Sequence, residues 1–302
     1  MDDVAPAYRE AERRFWTAHV GEAPGEHYLT LATAGLRVRV LEHGAGPALL
    51  FLHGGPNAAS TWAPLVGHLS GFRCLMPDRP GCGLSEAPDR PPRRVRPFVV
   101  QVLLDILDAL DLEEACIVAS SFGSYAALAT AVEQPARIAR MVHFGCPALV
   151  PGSRTPFRFV LQSLPGMRAL LLKLEPPSDE TTRKSFLRIG HAALLDEDAA
   201  PEGFLHWYTQ LLRHTQTREN DLALFGQIRP RDALSREELR RLEIPTSFFW
   251  GAADSFGGVS VARSLTELIP GASLEMVDRG GHLPWIDDPR RAAQQVSTAM
   301  KT

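Results

Sequence analysis

Residues 117–128 read IVASSFGSYAAL. An apolar run enters, an alanine-rich run leaves, and three serines, Ser120, Ser121 and Ser124, crowd the junction. This is the layout of a tight strand-to-helix turn. Such a turn can hold a serine in a strained backbone conformation with its Oγ standing above the edge of a sheet. It also brings the residues two before and two after that serine against neighbouring backbone, so both must be small. For Ser121 these are Ala119 and Gly123, for Ser120 they are Val118 and Phe122, and for Ser124 they are Phe122 and Ala126. Only Ser121 passes. The match differs from G-x-S-x-G by one methyl group, Ala119 in place of glycine. On this stretch alone a serine-rich turn without chemistry remains an open alternative.

The surroundings of the turn set the fold class. Upstream, ALLFLHGG (48–55) and FRCLMPDRPGCG (72–83) are short apolar runs that end in Gly or Pro, the pattern of strands buried on both faces of a parallel sheet. PFVVQVLLDILDAL (97–110) places Phe98, Val99, Val102, Leu103, Ile106, Leu107 and Leu110 on one helical face. Downstream, ARMVHFGCPA reads as another strand. Strands and helices alternate, which predicts an α/β fold with a doubly wound, mostly parallel sheet. Before it, YLTLATAGLRVRVLEHG reads as a hairpin turning at Ala34-Gly35, and residues 5–18 as a short helix with Tyr8, Phe15 and Trp16 as its apolar side. The alternation stops after Pro151 and resumes at IPTSFFWG (244–251) and ASLEMVD (272–278). The expected organisation is therefore an N-terminal helical extension (1–26), an α/β core (27–150 and 243–302) and a helical cap inserted between its halves (151–242). The cap's last helix opens with a Ser235…Glu238 capping box.

Composition narrows the partners. With 302 residues, 45% apolar, 22% charged and a net charge of -3, the chain has globular composition and no basic stripe to track phosphates, so nucleic acid is not expected. No apolar run approaches the roughly 18 residues of a membrane span, and the start MDDVAPAYRE lacks the charged and apolar regions of a signal peptide. Cys74, Cys82, Cys116 and Cys146 lack CxxC spacing and read as free thiols in a cytoplasmic protein. A small-molecule substrate is the expected partner. A homo-oligomer is compatible with the sequence but not read from it.

A lone serine hydroxyl is a weak nucleophile near neutral pH. It needs a histidine to take its proton and an acid to orient that histidine. Of the ten histidines, His282 stands apart. It sits in DRGGHLPW, a paired-glycine loop just after the last predicted strand. The acid is expected at Asp254, three residues after the glycine that ends the strand in SFFWGAAD. Asp287 and Asp288 follow His282 too closely to orient it and read as the start of the helix at Pro289. Asp78 reads as a turn residue. The developing oxyanion needs backbone N–H donors. Phe122, at the helix N-terminus, is expected to supply one and Gly55, in HGGP, the other, each worth about 3 kcal/mol in the transition state. His53 reads as a structural hydrogen-bonder rather than a base. Trp62, Trp285 and the aromatic residues of FRF (157–159) and FLHWY (204–208), namely Phe157, Phe159, Phe204, Trp207 and Tyr208, are candidates to line the substrate pocket, with packing in the core as the alternative for each.

Together, HGGP, DRPGCGLS, SSFGS and WGAAD…GGHLPW resemble the α/β-hydrolase superfamily in order and spacing. The resemblance covers about residues 27–150 and 243–302. It implies an α/β-hydrolase fold with Ser121, Asp254 and His282 as a catalytic triad and no metal or organic cofactor. Serine at 121 departs from epoxide hydrolases and haloalkane dehalogenases, which use Asp there. HGGP, GCG and SFGS look like the prolyl iminopeptidase branch, whose substrate amine would need carboxylates such as Glu175, Asp179 or Glu180. GGHLPWIDDP looks more like serine carboxylesterases. The expected function is hydrolysis of carboxylic esters through an acyl-enzyme. The alternatives are an iminopeptidase-like aminopeptidase, a carbon–carbon hydrolase or perhydrolase, and a non-catalytic ligand-binding protein of the same fold.

Overall fold

Eight strands form one sheet in the order β1-β2-β4-β3-β5-β6-β7-β8 in the computed structural model, which describes residues 6–155, 160–161, 164–174, 176–197 and 199–301. β1 (Gly25–Thr30) and β2 (Arg37–His43) form the expected hairpin, and β2 lies antiparallel to β4 (Arg73–Pro77). β3 (Ala48–Leu52), β4, β5 (Ala115–Ser120), β6 (Ile138–Phe144), β7 (Thr246–Gly251) and β8 (Ser273–Val277) are all parallel to their neighbours in that run. The chain thus has the mostly parallel α/β sheet expected from the sequence, with eight strands.

The strands read as continuous apolar runs because both faces are covered. Successive residues alternate between two cores. Leu50 and Leu52 of β3 and Ile117 and Ala119 of β5 face α3 (Val95–Ala109) and α4 (Ser121–Glu133). Leu49, Phe51 and Val118 face the opposite core, built from α1 (Pro6–Val20) and α2 (Ala63–Val66) together with the C-terminal helices. Ridges of alanine on α4 let it lie close to the sheet, and residues 122–131 of that helix are buried throughout.

Between β6 and β7 the described residues form helices and turns without a strand. These are α5 (Pro165–Leu174), α6 (Asp179–Arg188), α7 (Ala192–Asp196), α8 (Phe204–His214), α9 (Thr217–Phe225) and α10 (Arg236–Arg240), the last capped by Ser235 and Glu238 as the sequence suggests. α11 (Val259–Leu268) joins β7 to β8, and α12 (Pro284–Asp287) and α13 (Pro289–Ala299) close the chain.

The N-terminal helix α1 is tied to both halves. Glu12 accepts two hydrogen bonds from the buried Arg39, at 2.7 and 2.8 Å, and Arg39 also donates to Asp78 at 2.8 Å. On its other side Phe15 stacks on Trp207 of α8, 5.1 Å between ring centroids and nearly coplanar. One short helix therefore connects the sheet to the inserted helices.

Candidate active site

The strands' carboxyl ends converge on one rim, where open parallel sheets hold their ligands. β5 ends at Ser120, and α4 begins at once with Ser121. Ser121 has φ +52°, a region that non-glycine residues rarely occupy. The strain follows from the tightness of the turn. A side chain at Gly123 would put its Cβ 2.1 Å from the Leu52 carbonyl oxygen and 2.7 Å from that of His53, so only glycine fits against β3. Ser120 and Ser124 are fully buried and their Oγ atoms have no partner, whereas Ser121 lines a cavity. Of the three serines, Ser121 is the one presented to a ligand.

His282 lines the same cavity. Its Nδ1–H donates to Asp254 Oδ2 at 2.8 Å, which leaves Nε2 as the bare, proton-accepting nitrogen. Asp254 is held by two more donors. The Cys146 N–H, from the loop after β6, reaches Oδ2 at 2.8 Å, and the Phe256 N–H reaches Oδ1 at 2.8 Å. The Phe256 ring stacks on the imidazole at 4.1 Å. Asp254 and His282 are thus both buried and fixed. Among the described residues Ser121 Oγ makes no hydrogen bond, and it shares the cavity wall with His282.

The two expected backbone donors lie next to Ser121 in the chain, at Phe122, and on the cavity wall, at Gly55. As the second residue of α4, Phe122 has an N–H with no partner inside the helix. The Gly54 carbonyl accepts from Arg79 Nη2 at 2.9 Å and from the His53 ring at 2.7 Å. In a trans peptide the Gly55 N–H then points the opposite way, away from Arg79. His53 is a structural residue. Its Nε2 accepts the Arg79 N–H at 3.0 Å, and burial beside the Arg79 charge holds it well below the usual imidazole range. Arg79 itself pairs with Asp221 of α9 at 2.8 Å, a buried bond between the sheet and the inserted helices that lies directly behind Gly55.

The cavity has a volume of about 150 Å³, the size that accepts a benzene-like group. Its apolar wall is Phe186, Ile189, Leu212, Leu222, Phe256 and Leu283, with Thr181, Thr182, Ser185 and Asn57 as neutral polar groups. Two cations, Arg188 and Arg218, also line it, and no Asp or Glu does among the described residues. Among them, too, no group of three or more His, Cys, Asp or Glu side chains could hold a metal ion.

Four of the aromatic candidates, Trp62, Phe204, Trp207 and Trp285, do not line the cavity, which corrects that part of the expected pocket. Trp62 and Trp285 stack on each other at 4.4 Å in the core beneath the site, and neither lines the cavity. Phe204 and Trp207 occupy the face of α8 turned to Phe15 of α1. The next residue, Tyr208, does line the cavity and donates its hydroxyl to the Pro56 carbonyl at 2.7 Å. Helical rotation of about 100° per residue separates its role from that of Trp207. Phe157 and Phe159 lie outside the described residues. Of the carboxylates considered for an amine, Asp179 and Glu180 sit in the exposed first turn of α6, where Glu180 pairs with Lys184, and Glu175 lies outside the described residues.

A family model for the alpha/beta hydrolase fold matches residues 47–289. The chain belongs to the α/β-hydrolase family. A 2-hydroxy-6-oxo-6-phenylhexa-2,4-dienoate hydrolase of Burkholderia cepacia is 24% identical over 272 residues, covering 87% of this chain and 92% of that protein. An epoxide hydrolase of Caballeronia sordidicola is 28% identical over 178 residues, 57% of this chain and 54% of that one. Among solved structures, the carboxylesterase CesB of Bacillus subtilis superposes with a TM-score of 0.76 at 19% identity and covers 97% of each chain, a likeness of fold. The relatives are hydrolases of differing substrates.

Proposed function

We propose that this α/β-hydrolase cleaves carboxylic esters through an acyl-enzyme on Ser121. The observation that carries the reading is the strained Ser121, open to a cavity whose wall includes a histidine already paired to a buried aspartate. In the reaction, His282 Nε2 takes the Ser121 proton as Oγ attacks the acyl carbon. Asp254 keeps the imidazole in the required tautomer and stabilises its positive charge. The Phe122 and Gly55 N–H groups receive the oxyanion. His282 then protonates the leaving alcohol, and a water activated by the same nitrogen releases the acid. The inserted helices act as a cap, with Phe186, Tyr208 and Leu212 forming the roof.

A serine at 121 disfavours the epoxide chemistry of one relative. The lack of a carboxylate lining the cavity among the described residues disfavours recognition of a substrate amine. A second reading has one specific support. Arg188 and Arg218 give the cavity a cationic side, which suits a substrate bearing a carboxylate, and the Burkholderia cepacia relative is named for a dienoate. The test is a hydrolysis panel of p-nitrophenyl esters, a lactone, proline p-nitroanilide and a 2-hydroxy-6-oxo-dienoate, run beside Ser121→Ala. The proposal expects ester turnover that Ser121→Ala abolishes. Turnover of the dienoate alone would move the assignment to carbon–carbon hydrolysis, and ester turnover that survives Ser121→Ala would end it.

A further inference from the structure

The loop that carries His282 is held by a second imidazole–carboxylate pair, set behind the first. His191 lies in the turn between α6 and α7 and is fully buried. The Leu283 N–H donates to His191 Nε2 at 3.1 Å, so the ring proton is on Nδ1, which donates to Asp287 Oδ1 at 3.0 Å. Asp287 Oδ2 accepts the Gly281 N–H at 2.8 Å. The His282 N–H donates to the Ile189 carbonyl at 2.9 Å. Three consecutive amides, 281, 282 and 283, are therefore each tied to the His191–Asp287 pair or to the turn that carries it.

The same turn also touches the acid's loop. A Cβ at Gly190, where φ is +100°, would come within 2.1 Å of the Ala253 carbonyl oxygen, the residue before Asp254. A Cβ at Gly281 would lie 2.7 Å from atoms of the His191 ring. Residues 189–191 thus pack against both the loop bearing Asp254 and the loop bearing His282, which also meet directly where the Ala253 N–H donates to the Gly280 carbonyl at 3.0 Å. The end of β7 approaches the same loop at Gly251, where a Cβ would lie 2.1 Å from the Gly281 carbonyl oxygen, but no side chain of the sheet takes up the 281–283 amides as the 189–191 turn and Asp287 do.

We propose that His191 and Asp287 are positioning residues for His282, and that the turn at 189–191 is how the inserted helices set the Asp254–His282 geometry. The inference rests on the triad reading given above. The amide ties fix where the imidazole hangs. Without the His191 ring, Leu283 loses its acceptor, Asp287 loses one of its two donors and the ring's volume is left empty. Small displacements of a catalytic group cost as much as about 100-fold in rate.

The experiment compares wild type, Ser121→Ala, His191→Ala and Asp287→Asn on one p-nitrophenyl ester, with the downfield proton resonance of the His282–Asp254 hydrogen bond followed by NMR. The inference expects His191→Ala to lower kcat about 10- to 100-fold with KM changed less than about 3-fold, to broaden or shift that resonance, and to regain rate when imidazole is added. Asp287→Asn keeps the volume but offers one acceptor oxygen to two donors, and is expected to lower kcat in the same way by a smaller factor. It decides the matter if His191→Ala does not fold. Wild-type kcat with an unchanged resonance in Asp287→Asn or His191→Ala, while Ser121→Ala is inactive, overturns this inference and leaves the triad standing. Full activity in Ser121→Ala overturns both.

Discussion

Replacing Asp221 with alanine should both destabilise the protein and slow it, because the residue neutralises a buried arginine that holds the loop proposed to supply the Gly55 oxyanion donor. Arg79 Nη2 donates to Asp221 Oδ1 and Oδ2 at 3.0 and 2.8 Å, and the guanidinium also holds the carbonyls of Gly54 and His53 at 2.9 and 3.1 Å. The Asp221 side chain is 2% exposed and that of Arg79 10%. Removing the carboxylate leaves a buried charge with two carbonyls and the face of the Phe122 ring but no counter-ion within hydrogen-bond reach. Breaking such a pair from one side typically costs about 3–5 kcal/mol. To regain hydration the guanidinium must move, and the 54–55 peptide moves with it. Loss of one oxyanion donor lowers kcat by about 10²- to 10³-fold. Asp221→Asn keeps the shape and one acceptor and should show less of both effects. Urea unfolding and kcat on a p-nitrophenyl ester measure the two quantities. Since an isolated charge is worse than none, Asp221→Ala/Arg79→Met should be more stable than Asp221→Ala alone. If Asp221→Ala kept kcat within about 3-fold of wild type and lost under about 1 kcal/mol, the pair would not be holding the loop, and the reasoning from its burial would be wrong.

Other outcomes follow from single features. Asp254→Asn should lower kcat roughly 10⁴-fold, as in other triads, with little change in unfolding midpoint. Phe15→Ala should cost about 3–5 kcal/mol in urea unfolding, because it removes the ring stacked between α1 and Trp207. His143, buried against Phe248 with neither ring nitrogen bonded, is pushed down from 6.5 to about 3 by burial. A histidine held neutral in the fold contributes stability that is complete above pH 6.5 and is lost as pH falls toward 3. His143→Phe should therefore lose about 3 kcal/mol less than wild type between pH 7.5 and 4.5, measured by urea unfolding at the two pH values.

The sheet was legible because its strands are buried on both faces and so read as unbroken apolar runs. The elbow was legible because steric crowding restricts the residues around Ser121, and Gly123 records that crowding directly. His282 and Asp254 stood out because each follows a strand by a glycine-bearing loop on the same rim. The lining of the cavity was not legible in the same way. Adjacent residues on α8 serve different walls, so aromatic character marked Phe204, Trp207 and Tyr208 alike, although only Tyr208 of the three lines the cavity. Long-range polar pairs left no local signal either. Arg79 and Asp221 are 142 residues apart, and His191 and Asp287 are 96 apart. Asp287 follows His282 too closely to orient its ring, yet that same spacing lets it hold the Gly281 amide and reach His191.

The most direct test of the central claim is the intact mass of the protein after treatment with a fluorophosphonate, with the modified peptide sequenced. The account predicts a single stoichiometric adduct on Ser121 that is absent in Ser121→Ala and strongly slowed in His282→Ala. An adduct on Ser120 or Ser124, or wild-type protein that stays unmodified under conditions that label a known serine esterase, would contradict it.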